Sequence, residues 1–321
     1  MGGAERSPHG DLTPPYGGEL VEGPSLAATS ANGQPPRALD AEEERAVVAL
    51  GLGLLAPLRG FMGSRDAYKV GRERHLERGL PWPEPLLLPG DAEVGDELAL
   101  LGSKGARLGR LHVTEHWQSA DGRSHLAGDV RLERLPEWAK ACRSTMSFRR
   151  DEAERGPLVG LPLLGLPTRA DEHWARNVLE RGERLVLLPL LTPETPPQLL
   201  AACQVLTNDY LEPSRVVLAP LPLPYGPSAA WAELLAIYAQ NMGIARLLVA
   251  ATWLEHVGAR SSRLGATGPT TTIDPLPSLL FDEQIGGFVS IRSKRYRHPP
   301  PNDERAHEVR PEVAASGRSA T

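Results

Sequence analysis

The sequence predicts an α/β protein in which a compact β-rich domain is followed by a doubly wound parallel-sheet domain. After residue 155 the apolar runs PLVGLPLLGL, RLVLLPLL, SRVVLAPLPL and IARLLVAAT are nearly continuous. Strands of that kind are usually buried on both faces of a parallel sheet, whereas half-exposed strands alternate. Helical segments at 171–181, about 196–211 and about 228–242 separate the runs. Such a repeated strand–helix order implies right-handed crossovers. The earlier strand candidates are shorter and punctuated by Gly, Asp and Ser, which marks a different, β-rich unit. A chain of 321 residues can hold two such domains.

In chain order, residues 1–37 are rich in Gly, Pro, Ser and Ala and are expected to be mostly disordered, with one ordered contact at PYGGELV (15–21). The β-rich domain is assigned to 38–150. It opens on LDAEEERAVVALGLGLL, where Asp40 is placed as the N-cap and acidic residues fill the first turn. Both features favour a helix start. EPLLLP, DELALLG, RLGRLHVTEHW and HLAGDVRLERL are the strand candidates of this domain. The α/β domain is assigned to 155–298, and the tail 299–321 is again expected to be loose.

A formal net charge of -5 supplies no overall positive field for nucleic acid. Cys142 and Cys203 lie far apart and in no paired motif. That excludes a disulfide framework and fits a reducing compartment. No apolar run reaches the roughly 18 residues of a membrane span, and MGGAERSPHGDLTPPYGG has no apolar signal core. The expectation is a soluble cytoplasmic protein with no nucleic-acid or membrane partner.

Ligands of doubly wound folds sit at the carboxyl ends of the strands. Those ends are the junctions PTRADEH, PLPYGPS and ATWLEH. In the first, a helix opens beside Arg169, and a helix N-terminus attracts anions through free N–H groups and partial positive charge. Asp171 and Glu172 stand where phosphates would lie. Asp171 can cap the helix, and both acids complement its dipole. His173 is either an exposed helix-start histidine or part of an anion site. Arg176, one turn on, either joins that site or pairs with Asp171 or Glu172. Gly226-Pro227 reads as a turn with Pro at position N1 of a helix. Trp231, Leu234, Leu235 and Tyr238 read as the core face of that helix. His112 and His116 would share one side of a strand; with no third ligand in view they read as a solvated face, and no metal site is predicted. The basic run RSKRYRH (292–298) reads as a solvated edge.

Several stretches together resemble the sulfate adenylyltransferase (ATP sulfurylase) family. PYGGELV is similar to the family's opening Pro-His-Gly-Gly-x-Leu-Val, with Tyr16 in the histidine's place. LAPLRGFMGSRDAYKV (55–70) resembles the Ser-Pro-Leu-x-Gly-Phe-Met block, and LERGLPWPEPLLL (76–88) the Trp-Pro-x-Pro segment after it. LAGDVRLERL resembles the strand that closes the family's first domain. At the first site motif, Gln-Thr-Arg-Asn-Pro-x-His-Arg-x-His-Glu, Thr168, Arg169 and His173 match. Pro167, Ala170 and Asp171 depart from it, Trp174 follows the histidine, and Arg176 takes the second histidine's place. LPYGPSAA keeps Gly226, Pro227 and Ala230 of a second motif. QNMG keeps Asn241 and Gly243 of a third. At AATWLE (250–255) no polar group of the family's Gly-Arg-Asp-His-Ala-Gly remains. FDEQIGGFVSIRSKRYRHP resembles the family's Phe-Glu-x-x-Phe-Tyr region.

The resemblance implies a PUA-like domain followed by an α/β nucleotidyltransferase-like domain. It implies attack of sulfate on the α-phosphate of ATP, giving adenylyl sulfate and pyrophosphate. Mg²⁺-bound ATP would be a substrate, with no tightly held cofactor. The implied roles are catalytic for His173 and Arg176 and nucleotide-binding for Thr168, Arg169, Gly226 and Pro227. A nucleotide and a small oxyanion are the implied partners, and homo- or hetero-oligomers stay open. Losing one transition-state donor commonly costs about 3–4 kcal/mol, and an Arg and a His are both missing at 250–255. Arg246 comes too early to replace them, whereas His256 either swings in or is a surface histidine. Sulfurylase activity is therefore expected to be absent or strongly reduced. The alternatives are a non-catalytic partner or regulatory subunit keeping the fold, and a nucleotidyltransferase with a changed oxyanion substrate.

Overall fold

Two sheets organise the chain. A computed structural model describes residues 12–21, 35–153, 155–250, 270–276, 279–282 and 287–290. The first sheet holds β1 (Pro36–Ala38), β2 (Gly60–Phe61), β3 (Leu88–Pro89), β4 (Glu97–Leu101), β5 (Arg107–Gln118) and β6 (Ser124–Leu132). Its order is β1-β4-β5-β6-β2, with β3 also on β6. Only the β1–β4 pair is parallel. A Cβ on Gly60 would fall 1.7 Å from the Gly128 carbonyl oxygen, so β2 can approach β6 only as glycine.

Helices α1 (Ala41–Gly51) and α2 (Ser64–Glu73) pack on this sheet, and α3 (Thr145–Glu152) follows it in the chain. Asp40 caps α1 as expected. It accepts from the Glu43 N–H at 2.8 Å, and Glu43 accepts from the Asp40 N–H at 2.9 Å, a reciprocal capping box. Ser144 caps α3. Glu115, from β5, lies 3.2 Å from the first amide of α2. His112 and His116 are both exposed, and each faces its own carboxylate, Glu97 at 3.3 Å and Asp91 at 3.0 Å. A β-bulge between Val113 and Glu115 interrupts the strand that carries them.

The second sheet holds β7 (Leu158–Leu163), β8 (Arg184–Leu191), β9 (Val216–Leu218), β10 (Leu221–Pro222), β11 (Arg246–Ala250) and β12 (Thr272–Leu276). Every pairing in it is parallel. β8 is buried from Leu185 to Leu191, as its continuous apolar run requires. The order is β10-β8-β7-β11-β12, with β9 also on β8. The chain thus winds outward from β7 through β8 to β10, then returns to build β11 and β12 on the other side. That is a doubly wound sheet, and its order reverses between β7 and β11. β13 (Leu279–Asp282) and β14 (Gly287–Ser290) form a separate antiparallel pair.

Helices α4 (Arg169–Glu180), α5 (Gln198–Val205) and α6 (Trp231–Met242) connect these strands. α4 starts at residue 169 because Thr168, not Asp171, is its N-cap. The segment expected to be helical to 211 leaves the α conformation at Val205 and continues as one π turn, Leu206–Tyr210. Pro227 is the N-cap of a short 3₁₀ turn before α6, with φ -66° and ψ 145°, and not position N1. Its extended ψ suits the residue that precedes a helix. Leu234, Leu235 and Tyr238 are buried and Trp231 is half-buried. No described helix is long and apolar enough to cross a membrane.

The sheets share one continuous apolar core, and buried polar contacts tie them together. Asn241, fully buried on α6, donates to the Leu54 carbonyl at 2.8 Å and the Ala56 carbonyl at 2.9 Å. Its Oδ1 accepts from the Tyr16 N–H at 2.9 Å. Tyr16 donates through its hydroxyl to the Pro81 carbonyl, and burial pushes its phenol well above the ordinary tyrosine range. Trp82 donates to the Tyr225 hydroxyl at 3.0 Å, which donates to the Glu84 carbonyl at 2.9 Å. Arg149 reaches the carbonyls of Gln240, Asn241 and Thr13. Asn241 and Gly243 thus join the two domains and hold the 12–21 segment, since Gly243 ends α6 at φ 88° with Leu12 packed on its Cα.

Candidate functional site

The order reversal between β7 and β11 defines the crevice in which open α/β sheets bind ligands. β7 ends at Leu163, and residues 164–168 lead from it into α4. Thr168, Arg169, His173 and Arg176 therefore share the first turns of the helix that borders this crevice. On the far side, β11 ends at Ala250. Residues 251–255 and His256 lie outside the described residues, as does the run 292–298.

Thr168 and Asp171 form a closed pair. Asp171 Oδ2 accepts from the Thr168 N–H at 2.8 Å and from its hydroxyl at 2.7 Å. The Asp171 N–H returns a bond to Thr168 Oγ1 at 3.2 Å. Burial raises the Asp171 carboxyl above its ordinary value, against the hydrogen bonds from Thr168. The same charge helps raise the thiol of Cys203 on α5. Asp171 is thus committed to the start of its own helix. The capping box has drawn it against the protein.

Glu172, whose side chain is only 13% exposed, meets the arginines instead. Its carboxylate accepts from Arg169 Nη1 at 2.6 Å and from Arg176 Nε and Nη2 at 3.0 and 2.9 Å. Burial acts to raise the Glu172 carboxyl, but hydrogen bonds from Arg169 and Arg176 outweigh it and hold it below the ordinary range. One carboxylate therefore engages both arginines of the candidate site. Arg169 also lies over the ring of Tyr210, with its guanidinium carbon 5.4 Å from the centroid. His173 is half-buried, edge-on to Trp174 at 5.3 Å, with Nε2 3.1 Å from the Asn177 amide nitrogen.

Gly226 and Pro227 lie farther along the same edge of the sheet. They follow β10, which is separated from β7 by β8 and so by about two strand spacings, or about 10 Å. The Gly226 N–H donates to Glu42 of α1 at 3.0 Å, and its carbonyl accepts from Trp231. Glu84 lies against it, and burial raises that carboxyl. This corner is acidic and packs on the first domain. Arg246 sits at the amino end of β11, held by Glu183 at 2.7 Å and Asp274 at 3.0 Å, at the end of the sheet opposite the crevice.

Two features of the site carry no distinctive signal in the sequence. Tyr210 faces Arg169 only because the π turn ends α5 beside α4. Leu164, Leu166 and Tyr210 are 49%, 53% and 41% exposed, so the crevice end of the sheet carries apolar side chains in solvent. Large exposed apolar groups gathered at one place mark binding faces.

Comparison with known proteins agrees with this architecture. A protein-family profile described as a PUA-like domain matches residues 14–128. A probable bifunctional SAT/APS kinase 2 of Sorangium cellulosum is 30% identical over 299 residues, covering 78% of this chain and 51% of that protein. A sulfate adenylyltransferase of a Synechococcus species is 30% identical over 260 residues, covering 65% of each chain. One from Chloroflexus aurantiacus is 31% identical over 253 residues, covering 66% of this chain and 65% of its own. The chain thus spans about half to two thirds of the length of these relatives. A solved structure, the hexameric APS kinase from Thiobacillus denitrificans, superposes with a TM-score of 0.72 at 23% identity. The match covers 92% of this chain and 63% of that one, and it shows a shared fold. With a PUA-like domain ahead of a doubly wound parallel sheet, the chain is similar in sequence, across both, to sulfate adenylyltransferases.

Proposed function

We propose that the chain is a sulfate adenylyltransferase-like protein that keeps a phosphate or oxyanion site at the start of α4 but has little or no sulfurylase activity. One observation carries the reading: Glu172 engages both Arg169 and Arg176. An incoming phosphate must displace the protein's own carboxylate. Thr168 is likewise committed to Asp171. Mg²⁺-bound ATP is the ligand class of this reading, because the metal would offset part of the repulsion from Glu172. The arginine and histidine missing from 250–255 are transition-state donors in the family pattern, and Arg246 is bound at the opposite end of the sheet. An oligomeric assembly belongs to the same reading, supported by the hexameric state named for the structural neighbour.

A partner or regulatory role is the second reading. The exposed Leu164, Leu166 and Tyr210 favour it, since they offer a docking face beside the site.

Sulfate-dependent exchange of pyrophosphate into ATP tests the proposal, alongside calorimetric titration with ATP and Mg²⁺. Binding without exchange is expected. Exchange at an ordinary enzyme rate would sink the loss of activity, and an absence of ATP binding would sink the site.

A further inference from the structure

We propose that Tyr210 is a positioning residue for Arg169: its ring seats the guanidinium while the N–H donors turn from Glu172 to an incoming anion. The inference rests on reading the start of α4 as an anion site.

Arg169 makes two contacts of different kinds. Its Nη1 donates to Glu172, the one acceptor it meets among the described residues, and its guanidinium lies over the Tyr210 ring. A cation–π contact uses the face of the guanidinium and leaves the in-plane donors free. Tyr210 can therefore hold Arg169 without competing for its hydrogen bonds, whereas Glu172 does compete. Loss of the Glu172 bond to an incoming anion would leave the ring contact in place. The side chain would then pivot rather than come free, and the anion would be spared the cost of ordering a long side chain.

The backbone supports the assignment. Tyr210 closes the π turn Leu206–Tyr210, in which the Thr207 hydroxyl donates to the Cys203 carbonyl at 2.9 Å. Single π turns are rare and often found at functional sites, because they change where the following side chain points. Here the turn places a large aromatic, 41% exposed, beside a cation on the neighbouring helix. Packing alone does not account for so exposed a ring.

The test is calorimetric titration of the full chain with inorganic pyrophosphate at low salt. Tyr210→Leu keeps apolar bulk but removes the ring face. It is expected to weaken binding about two- to fivefold, the range for an exposed cation–π contact. Tyr210→Phe is expected to bind as the wild type does. In an Arg169→Ala background, Tyr210→Leu is expected to change nothing. An equal loss in that background, a Phe variant as weak as the Leu variant, or wild-type affinity in Tyr210→Leu would overturn the role of Tyr210 alone. No binding by the wild type would overturn the anion site as well.

Discussion

Replacing Glu172 by Gln separates what this carboxylate does for the helix from what it does to the site. Glu172 holds Arg169 at 2.6 Å and Arg176 at 2.9 Å, and the two arginine side chains are about half exposed. Exposed pairs at these helix spacings contribute about 0.3–0.5 kcal/mol each. Glu172→Gln should therefore lower the stability of the fold by no more than about 1 kcal/mol. The sign is opposite for anion binding. A unit negative charge about 6 Å from a bound phosphate oxygen, at an effective dielectric of about 40, is repulsive by about 1.4 kcal/mol. Removing it should tighten pyrophosphate binding about tenfold. The gain should shrink with added NaCl, because the screening length is about 8 Å at physiological ionic strength. Calorimetric titration at two salt concentrations reads both effects. Affinity equal to or below that of the wild type would refute the view that Glu172 competes for the arginines. The pH dependence has a definite sign too. The Glu172 carboxyl lies below its ordinary value of 4.5 in the folded state. Its ion pairs thus stabilise the protein above that pH and are lost as the pH falls through the depressed value. The stability gap between wild type and Glu172→Gln should close on that side.

Asn241→Ala should destabilise the protein by about 3 kcal/mol or more, because it leaves the Leu54 and Ala56 carbonyls and the Tyr16 N–H buried without a partner. Urea denaturation reads this, and a loss under about 1 kcal/mol would remove Asn241 from the domain junction. Gly60→Ala should abolish soluble expression or cost about 3 kcal/mol or more, since its Cβ would meet the backbone of Gly128 and not a yielding side chain. A near-neutral result in a thermal melt would mean that β2 does not pair with β6 as described. The thiols of Cys142 and Cys203 are buried and pushed up to about 12, chiefly by burial. Neither should react with a disulfide reagent at pH 8 until the chain unfolds. Labelling of either at native conditions, read by mass spectrometry, would contradict its burial.

Much of the architecture is local and can be read along the chain. The apolar runs after residue 155 became parallel strands because a strand without polar positions has no face to offer solvent. Asp40 caps its helix because Glu43 stands three residues on. Arg169 and His173 fall at the end of the first strand of the second sheet by simple strand–loop–helix succession. The departures have local causes of another kind. Thr168 and Asp171 both have side chains able to cap α4, and only the folded geometry selects Thr168 as the cap and turns Asp171 into its partner. A π turn has no sequence signature of its own, so the last residues of the predicted helix gave no sign that Tyr210 would leave the helical track.

By itself the sequence determined the long buried strands of the second sheet, the helices that follow them, their order, and the crowding of charged residues at the start of α4. These follow from side-chain periodicity and hydrogen bonds spanning a few residues. Only the tertiary structure decided that the sheet reverses beside α4, that Gly226 packs on Glu42, that Asn241 serves the domain junction, and that Glu172 rather than Asp171 engages the arginines. Each of these depends on groups far apart in sequence or on a choice among near-equivalent partners, and close packing settles such choices when the whole core forms.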